Sequence, residues 1–126
     1  MKEDLYLSTT IHKVEQQFAN LVRSYRKQHI GKGPEKIKVS FHGTWAIAYM
    51  NGSLSPVEKF IAQTEEGHTM IWQARTQMVK QLYEKVRPSD LEELVGAKFL
   101  KLFADINVED DEAISIFIFD KPIDRL

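Results

Sequence analysis

The sequence predicts an α+β fold in the order α-β-β-α-α-(α)-β-β, with a four-stranded, mainly antiparallel sheet packed against helices. Three observations predict it. Apolar residues near the amino terminus recur at steps of three and four, the signature of an amphipathic helix. Two pairs of strand-like segments follow, each pair joined by a turn short enough for a hairpin. Between the pairs lie helical segments with capping signals, so the strand-helix-strand alternation that builds a parallel sheet does not occur.

The first helix spans about residues 5 to 29, with Leu7, Ile11, Val14, Phe18, Leu21, Val22 and Tyr25 on one apolar stripe and Gln16, Gln17, Asn20, Arg23 and Lys27 off it. Gly31 and Gly33-Pro34 end it, because glycine accepts a left-handed cap and proline cannot continue the ladder. Ile37, Val39 and Phe41 then alternate with Lys36, Lys38 and Ser40, which reads as a strand with one wet face. His42-Gly43-Thr44 turns the chain into a second strand, Trp45 to Met50, closed by Asn51-Gly52-Ser53.

Ser55-Pro56-Val57-Glu58 is the clearest local signal: a serine cap, proline at the first helical position, and a glutamate placed to complete a capping box. Phe60 and Ile61 give this helix an apolar side, and Gly67 predicts a break or kink. Ile71, Ala74 or Arg75, Met78, Leu82 and Val86 continue at helical spacing as far as Arg87-Pro88. Ser89-Asp90-Leu91-Glu92 repeats the capping-box pattern and opens a short helix, Asp90 to about Val95, ended by Gly96. Leu100, Leu102, Ala104 and Ile106, alternating with Lys101 and Asp105, form the third strand. Asn107 to Glu112 is an acidic turn, Ala113 to Phe119 the fourth strand, and Asp120-Lys121-Pro122 its stop.

Trp45-Ala46-Ile47-Ala48-Tyr49-Met50 and Ile114-Ser115-Ile116-Phe117-Ile118-Phe119 are apolar on both faces, and such strands need cover on both. Helices split between the faces would supply it. Helices stacked on one face leave the other to a second copy, so a homodimer is expected.

At 126 residues with no linker, repeat or composition shift, the chain reads as one domain, residues 1–126. Without cysteine it has no disulfide framework, thiolate nucleophile or cysteine metal site. No apolar run is long enough to span a bilayer, and Met1-Lys2-Glu3-Asp4 does not start like a secretory signal, so a cytoplasmic protein without membrane insertion is expected. The net charge of -1 excludes a uniformly basic nucleic-acid binder but conceals an asymmetry. Residues 1 to 50 carry 8 basic and 4 acidic side chains, or +4, and the rest carry 9 and 14, or -5.

The positive charge gathers in Arg23, Arg26, Lys27, Lys32, Lys36 and Lys38, opposed in that stretch only by Glu35. These six are the candidates for binding a protein partner or an anion. The plainer reading is that cations near a helix carboxyl end oppose its dipole and keep the wet strand soluble. Gly31-Lys32-Gly33-Pro34 has the composition of a phosphate loop, but it follows a helix and leads into a strand, so it offers carbonyls where a phosphate needs amides. His12, His29, His42 and His68 lack metal-site spacing, and Glu109-Asp110-Asp111-Glu112 lacks the alternating ligands and central glycine of a calcium loop. Neither a metal nor a cofactor is expected. Asp105, alone in an apolar stretch, is the one carboxylate an enzyme reading would use; the plainer reading is an aspartate on the wet side of the strand or hydrogen-bonding the following turn.

Ile30-Gly31-Lys32-Gly33-Pro34 after an amphipathic helix, Leu54-Ser55-Pro56-Val57-Glu58-Lys59 after a hairpin, and Thr64-Glu65-Glu66-Gly67 opening a long helix resemble the MpsC-like family of small bacterial proteins, over about Val14 to Phe119. The family takes its label from the third component of a sodium-translocating, membrane-potential-generating system. The resemblance implies a soluble, non-enzymatic accessory to a membrane ion and bicarbonate system, and supplies no catalytic residue. A membrane ion-transport complex is then the expected partner, met through the basic Arg23 to Lys38 region. The alternative is a small-ligand, anion or RNA binding module using the same region, although the region offers little aromatic surface for stacking bases.

Overall fold

Residues 2–125 are described by a computed structural model, with side chains described from residue 9 onward. A 29-residue helix, α1 (Lys2–Ile30), leads into a hairpin of β1 (Lys36–His42) and β2 (Trp45–Asn51). Three helices follow, α2 (Pro56–Ile61), α3 (Glu65–Lys85) and α4 (Ser89–Val95), and a second hairpin, β3 (Phe99–Asn107) and β4 (Glu112–Phe119), completes the fold. The sheet runs β1-β2-β4-β3 with every neighbouring pair antiparallel. This is the α+β arrangement expected, including the optional fourth helix.

Cross-strand register sorts the sheet into two faces. On the inner face Phe41, Ala46, Phe117 and Leu102 form one row, and Val39, Ala48, Ser115 and Ala104 the next. Phe18 of α1, Val79 and Tyr83 of α3 and Leu91 of α4 join these residues in one buried cluster. The helices that build the core therefore all stack on a single face. Of the stripe expected for α1, Ile11 to Tyr25 faces this core; the side chain of Leu7 lies outside the described residues.

Local chemistry sets the element ends. Gly43, at φ 60°, takes the first central position of the two-residue turn between His42 and Trp45, where a side chain is disfavoured. Ile123 is buried and its amide donates to the Gly43 carbonyl, while Asp124 Oδ2 accepts from the Gly43 amide at 2.7 Å, so the carboxyl-terminal segment clips that turn. The Ser55–Glu58 capping box forms in both directions. The acidic turn is more than a solvated loop: Asp111, at φ 52°, accepts at Oδ1 from the amides of Ser53 and Leu54 and so ties the second hairpin to the start of α2.

Four expectations change. The break before the long helix falls at residues 62–64, not at Gly67, which sits in the first turn of α3 behind the Thr64 cap. Its role is close approach, since a Cβ there would stand 1.7 Å from the Ile61 carbonyl oxygen. Gly67→Ala is expected to destabilise by about 1–3 kcal/mol or more, read as a lower urea midpoint; an unchanged midpoint would show that α2 and α3 separate freely. The second capping box does not form, because Glu92 instead binds Arg87 and the Phe99 amide and Pro88 occupies the cap. The buried stripe of α3 is Ile71, Arg75, Val79 and Leu82, leaving Met78 and Val86 exposed. Finally, Leu100 is exposed because the β3–β4 register shifts between Phe99 and Lys101, which turns Phe99 inward in its place.

Candidate functional site

The outer face of the sheet is an apolar surface that no described helix of the core covers. Its rows read Lys38, Tyr49, Ile114, Asp105; then Ser40, Ile47, Ile116, Phe103; then His42, Trp45, Ile118, Lys101. Tyrosine, tryptophan, phenylalanine and isoleucine fill the two central strands and reach β3, and Trp45 and Phe103 remain 50% and 56% exposed. Charge is confined to the rim, with Lys36 and Lys38 on β1, Lys101 and Asp105 on β3, and Glu112 at the first position of β4. An apolar centre with a polar rim is the anatomy of an association surface.

The basic region predicted from sequence is dispersed by the fold. Arg26 is 3% exposed and belongs to the interior. Arg23 donates from Nε to the Pro34 carbonyl at 3.2 Å, and Lys32 from Nζ to the Leu54 carbonyl at 3.0 Å, so both tie down the loop between α1 and β1. Lys36 and Lys38 stand on the outer sheet face, and Lys27 is exposed on α1. The six cations do not make one surface. Helix and strand periodicity send neighbours in sequence to opposite sides of the molecule, which separates these cations.

Below the inner face lies a polar cluster that the sequence reading did not find. Arg75, also 3% exposed, donates from Nε and Nη2 to the two carboxylate oxygens of Glu58 at 2.6 and 2.7 Å, and from Nη2 to the Ser53 carbonyl at 2.6 Å. Its Nη1 is buried without a partner. Burial alone would raise the Glu58 carboxyl, but hydrogen bonds from Arg75 and Ser55 outweigh it and hold the group below the usual carboxylate range. Arg26 donates from Nη2 to Ser115 Oγ at 3.3 Å. Room for these guanidinium groups comes from small inward residues, Ser115, Ala104 and Ala113. The signal that could have revealed Arg75 is its position four residues from both Ile71 and Val79, on the apolar stripe itself.

At the β3 edge a shallow groove of about 790 Å³ runs past Trp72, Asp105, His68, Tyr49 and Glu112. Asp105 Oδ1 accepts from Trp72 Nε1 at 3.2 Å and from the Ile106 amide at 2.8 Å, and Tyr49 donates its hydroxyl to Glu112. Asp105 is thus an exposed strand aspartate engaged with an indole and a backbone amide.

No helix among the described residues is long and apolar enough to cross a membrane. No solved structure is significantly similar to the chain. It is 43% identical over 119 residues to the uncharacterised protein YrhF of Bacillus subtilis (strain 168), covering 94% of each chain. It is 22% identical to the uncharacterised protein YbcI of the same organism, over 82% of this chain and 83% of that one. The family model described as "Na+-translocating membrane potential-generating system (MpsC)" matches residues 10–121, the whole sheet and all but the first turns of α1, and the chain belongs to that family.

Proposed function

We propose that the protein is a non-enzymatic accessory component of a membrane-potential-generating ion-transport system, and that it works as a homodimer joined through the outer faces of two sheets. Family membership supports the link to a membrane-potential-generating system. The observation that carries the homodimer is the apolar outer face itself, left bare because the core helices stack on the other side.

The rim charges favour a second copy as the occupant. A two-fold axis parallel to the strands lays β1 of one copy over β3 of the other, row on row. Lys38 then meets Asp105 of the second copy, twice per dimer, because both lie in the same row at opposite edges. A two-fold across the strands would instead set the basic β1 edges against each other. The strand-parallel axis brings His42 over Lys101, its one unfavourable pairing. Four strands about 4.8 Å apart and about seven residues long give a face of roughly 450 Å² per copy, or about 900 Å² in total, just under the roughly 1,000 Å² of a stable specific interface, so a weak dimer is expected.

Light scattering at tens of micromolar is expected to give twice the 14.6 kDa chain mass, and Ile116→Asp to give the monomer with its helical spectrum intact. Lys38→Asp or Asp105→Lys alone should weaken the dimer and the two together restore it, the coupling expected of a direct pair. In the native host, loss of the protein should lower membrane potential measured with a potential-sensitive dye, and the Ile116→Asp form should not restore it. A wild-type monomer at these concentrations overturns the dimer. An unaltered potential overturns the accessory role.

A further inference from the structure

Two arginines are buried on α1 and α3, and among the described residues Glu58 is the carboxylate that hydrogen-bonds to either of them. Glu58 occupies Nε and Nη2 of Arg75. The remaining Nη1 is buried and unpaired, and the hydrogen bond of Arg26 goes to a neutral acceptor, Ser115 Oγ. Both arginines are buried, a placement that is unfavourable for a charged group unless negative charge balances it. Burial holds the Arg26 guanidinium below its ordinary range; the neighbouring Tyr83 opposes this and the Arg75 charge adds to it.

Both side chains line one small interior space between α1, α3 and the sheet, together with Thr76, Ala104 and Ala113. It admits the centre of a water-sized particle over about 10 Å³, which is room for one such particle and no more. We infer that this space holds a single small inorganic anion of halide size, gripped by Arg26 and Arg75. The Ser115 hydroxyl accepts from Arg26 and supplies no negative charge. Thr76 spends its proton on the Trp72 carbonyl at 2.7 Å. Asp105 also borders the space, but it is an exposed residue on the outer-face register whose Oδ1 is held by Trp72 Nε1 and the Ile106 amide, so its charge is solvated and pairs with neither arginine. Phosphate and sulfate, with several heavy atoms, exceed the room available. A water would satisfy the hydrogen bonds and leave the charge unbalanced, so an anion is the better occupant. The site lies on the face opposite the dimer surface and stands independently of the function proposed above.

The test is a melting series of the full chain at fixed protein concentration and ionic strength, with sodium chloride or bromide replacing sodium gluconate. Halide is expected to raise Tm saturably, by about 5 °C or more, as a ligand bound only to the folded state does. Arg26→Gln should abolish the response, and Lys27→Gln, one residue along on the exposed side, should keep it. Crystals grown in bromide should show an anomalous peak between Arg26 and Arg75, and this peak decides the matter if Arg26→Gln does not fold. Equal melting in halide and gluconate, or bromide crystals without that peak, would overturn the inference.

Discussion

Glu58→Ala is expected to lower the unfolding free energy by about 3–5 kcal/mol, the cost of leaving a buried cation without its partner. Glu58 is held by three independent demands. It caps its own helix by accepting from the Ser55 amide at 3.0 Å, it receives both Nε and Nη2 of Arg75, and it lies where α2 must meet α3. Removing the carboxylate leaves the buried Arg75 guanidinium with the Ser53 carbonyl as its remaining hydrogen-bond acceptor from the protein. The effect should reverse in a double variant: Glu58→Leu with Arg75→Met removes both charges, and such replacements are often neutral or stabilising. A double variant as unstable as the single one would show that the cost lies in the cap and packing rather than in the unpaired charge. The pH dependence carries the same signature. The folded carboxyl titrates below its unfolded value, so its contribution is complete above the unfolded pKa of about 4.3 and is lost as pH falls through the folded value. Wild-type urea midpoints should therefore drop in acid more steeply than those of Glu58→Gln, measured at one protein concentration.

Element order, the first hairpin turn, the Ser55 cap and the Gly96 end were legible because each depends on residues a few positions apart. What sequence left open depends on distant partners. Ser89-Asp90-Leu91-Glu92 has the composition of a capping box, but Glu92 is drawn away by Arg87 and by the Phe99 amide of β3. Arg75 looked interchangeable with Ala74 on the helical wheel, since nothing local shows that Glu58, seventeen positions earlier, neutralises it. The doubly apolar character of β2 and β4 was plain, and from it the need for cover on two sides. Which side the helices would take was not, because each hairpin could present either face until Phe18, Val79 and Leu91 chose one. The basic cluster failed for the opposite reason: it was a property of the linear sequence, and α1 and β1 scattered it between interior, loop and sheet face.

Phe18→Ala is expected to cost about 3–5 kcal/mol, seen as a lower urea midpoint at an unchanged m-value. Phe18 is fully buried and meets Phe41, Phe117 and Phe119 edge to face, with ring centroids 5.5, 5.2 and 6.2 Å away. Those partners sit on β1 and β4, which are not neighbours; β2 runs between them. One ring can touch both because Ala46, aligned with Phe41 on one side and Phe117 on the other, has almost no side chain. Truncation therefore removes both the apolar area and the contact that seats α1 across three strands, and edge-to-face pairs add about 0.5–1.5 kcal/mol each beyond area. Phe103→Ala supplies the contrast. Phe103 is the same residue type on the outer face, more than half exposed in the single chain. Its truncation should leave unfolding of dilute monomer nearly unchanged while lowering the dimer fraction seen by light scattering. Similar losses of stability for both substitutions in dilute monomer would mean that the outer face is already covered within one chain, and would contradict the single-sided core from which the dimer is argued.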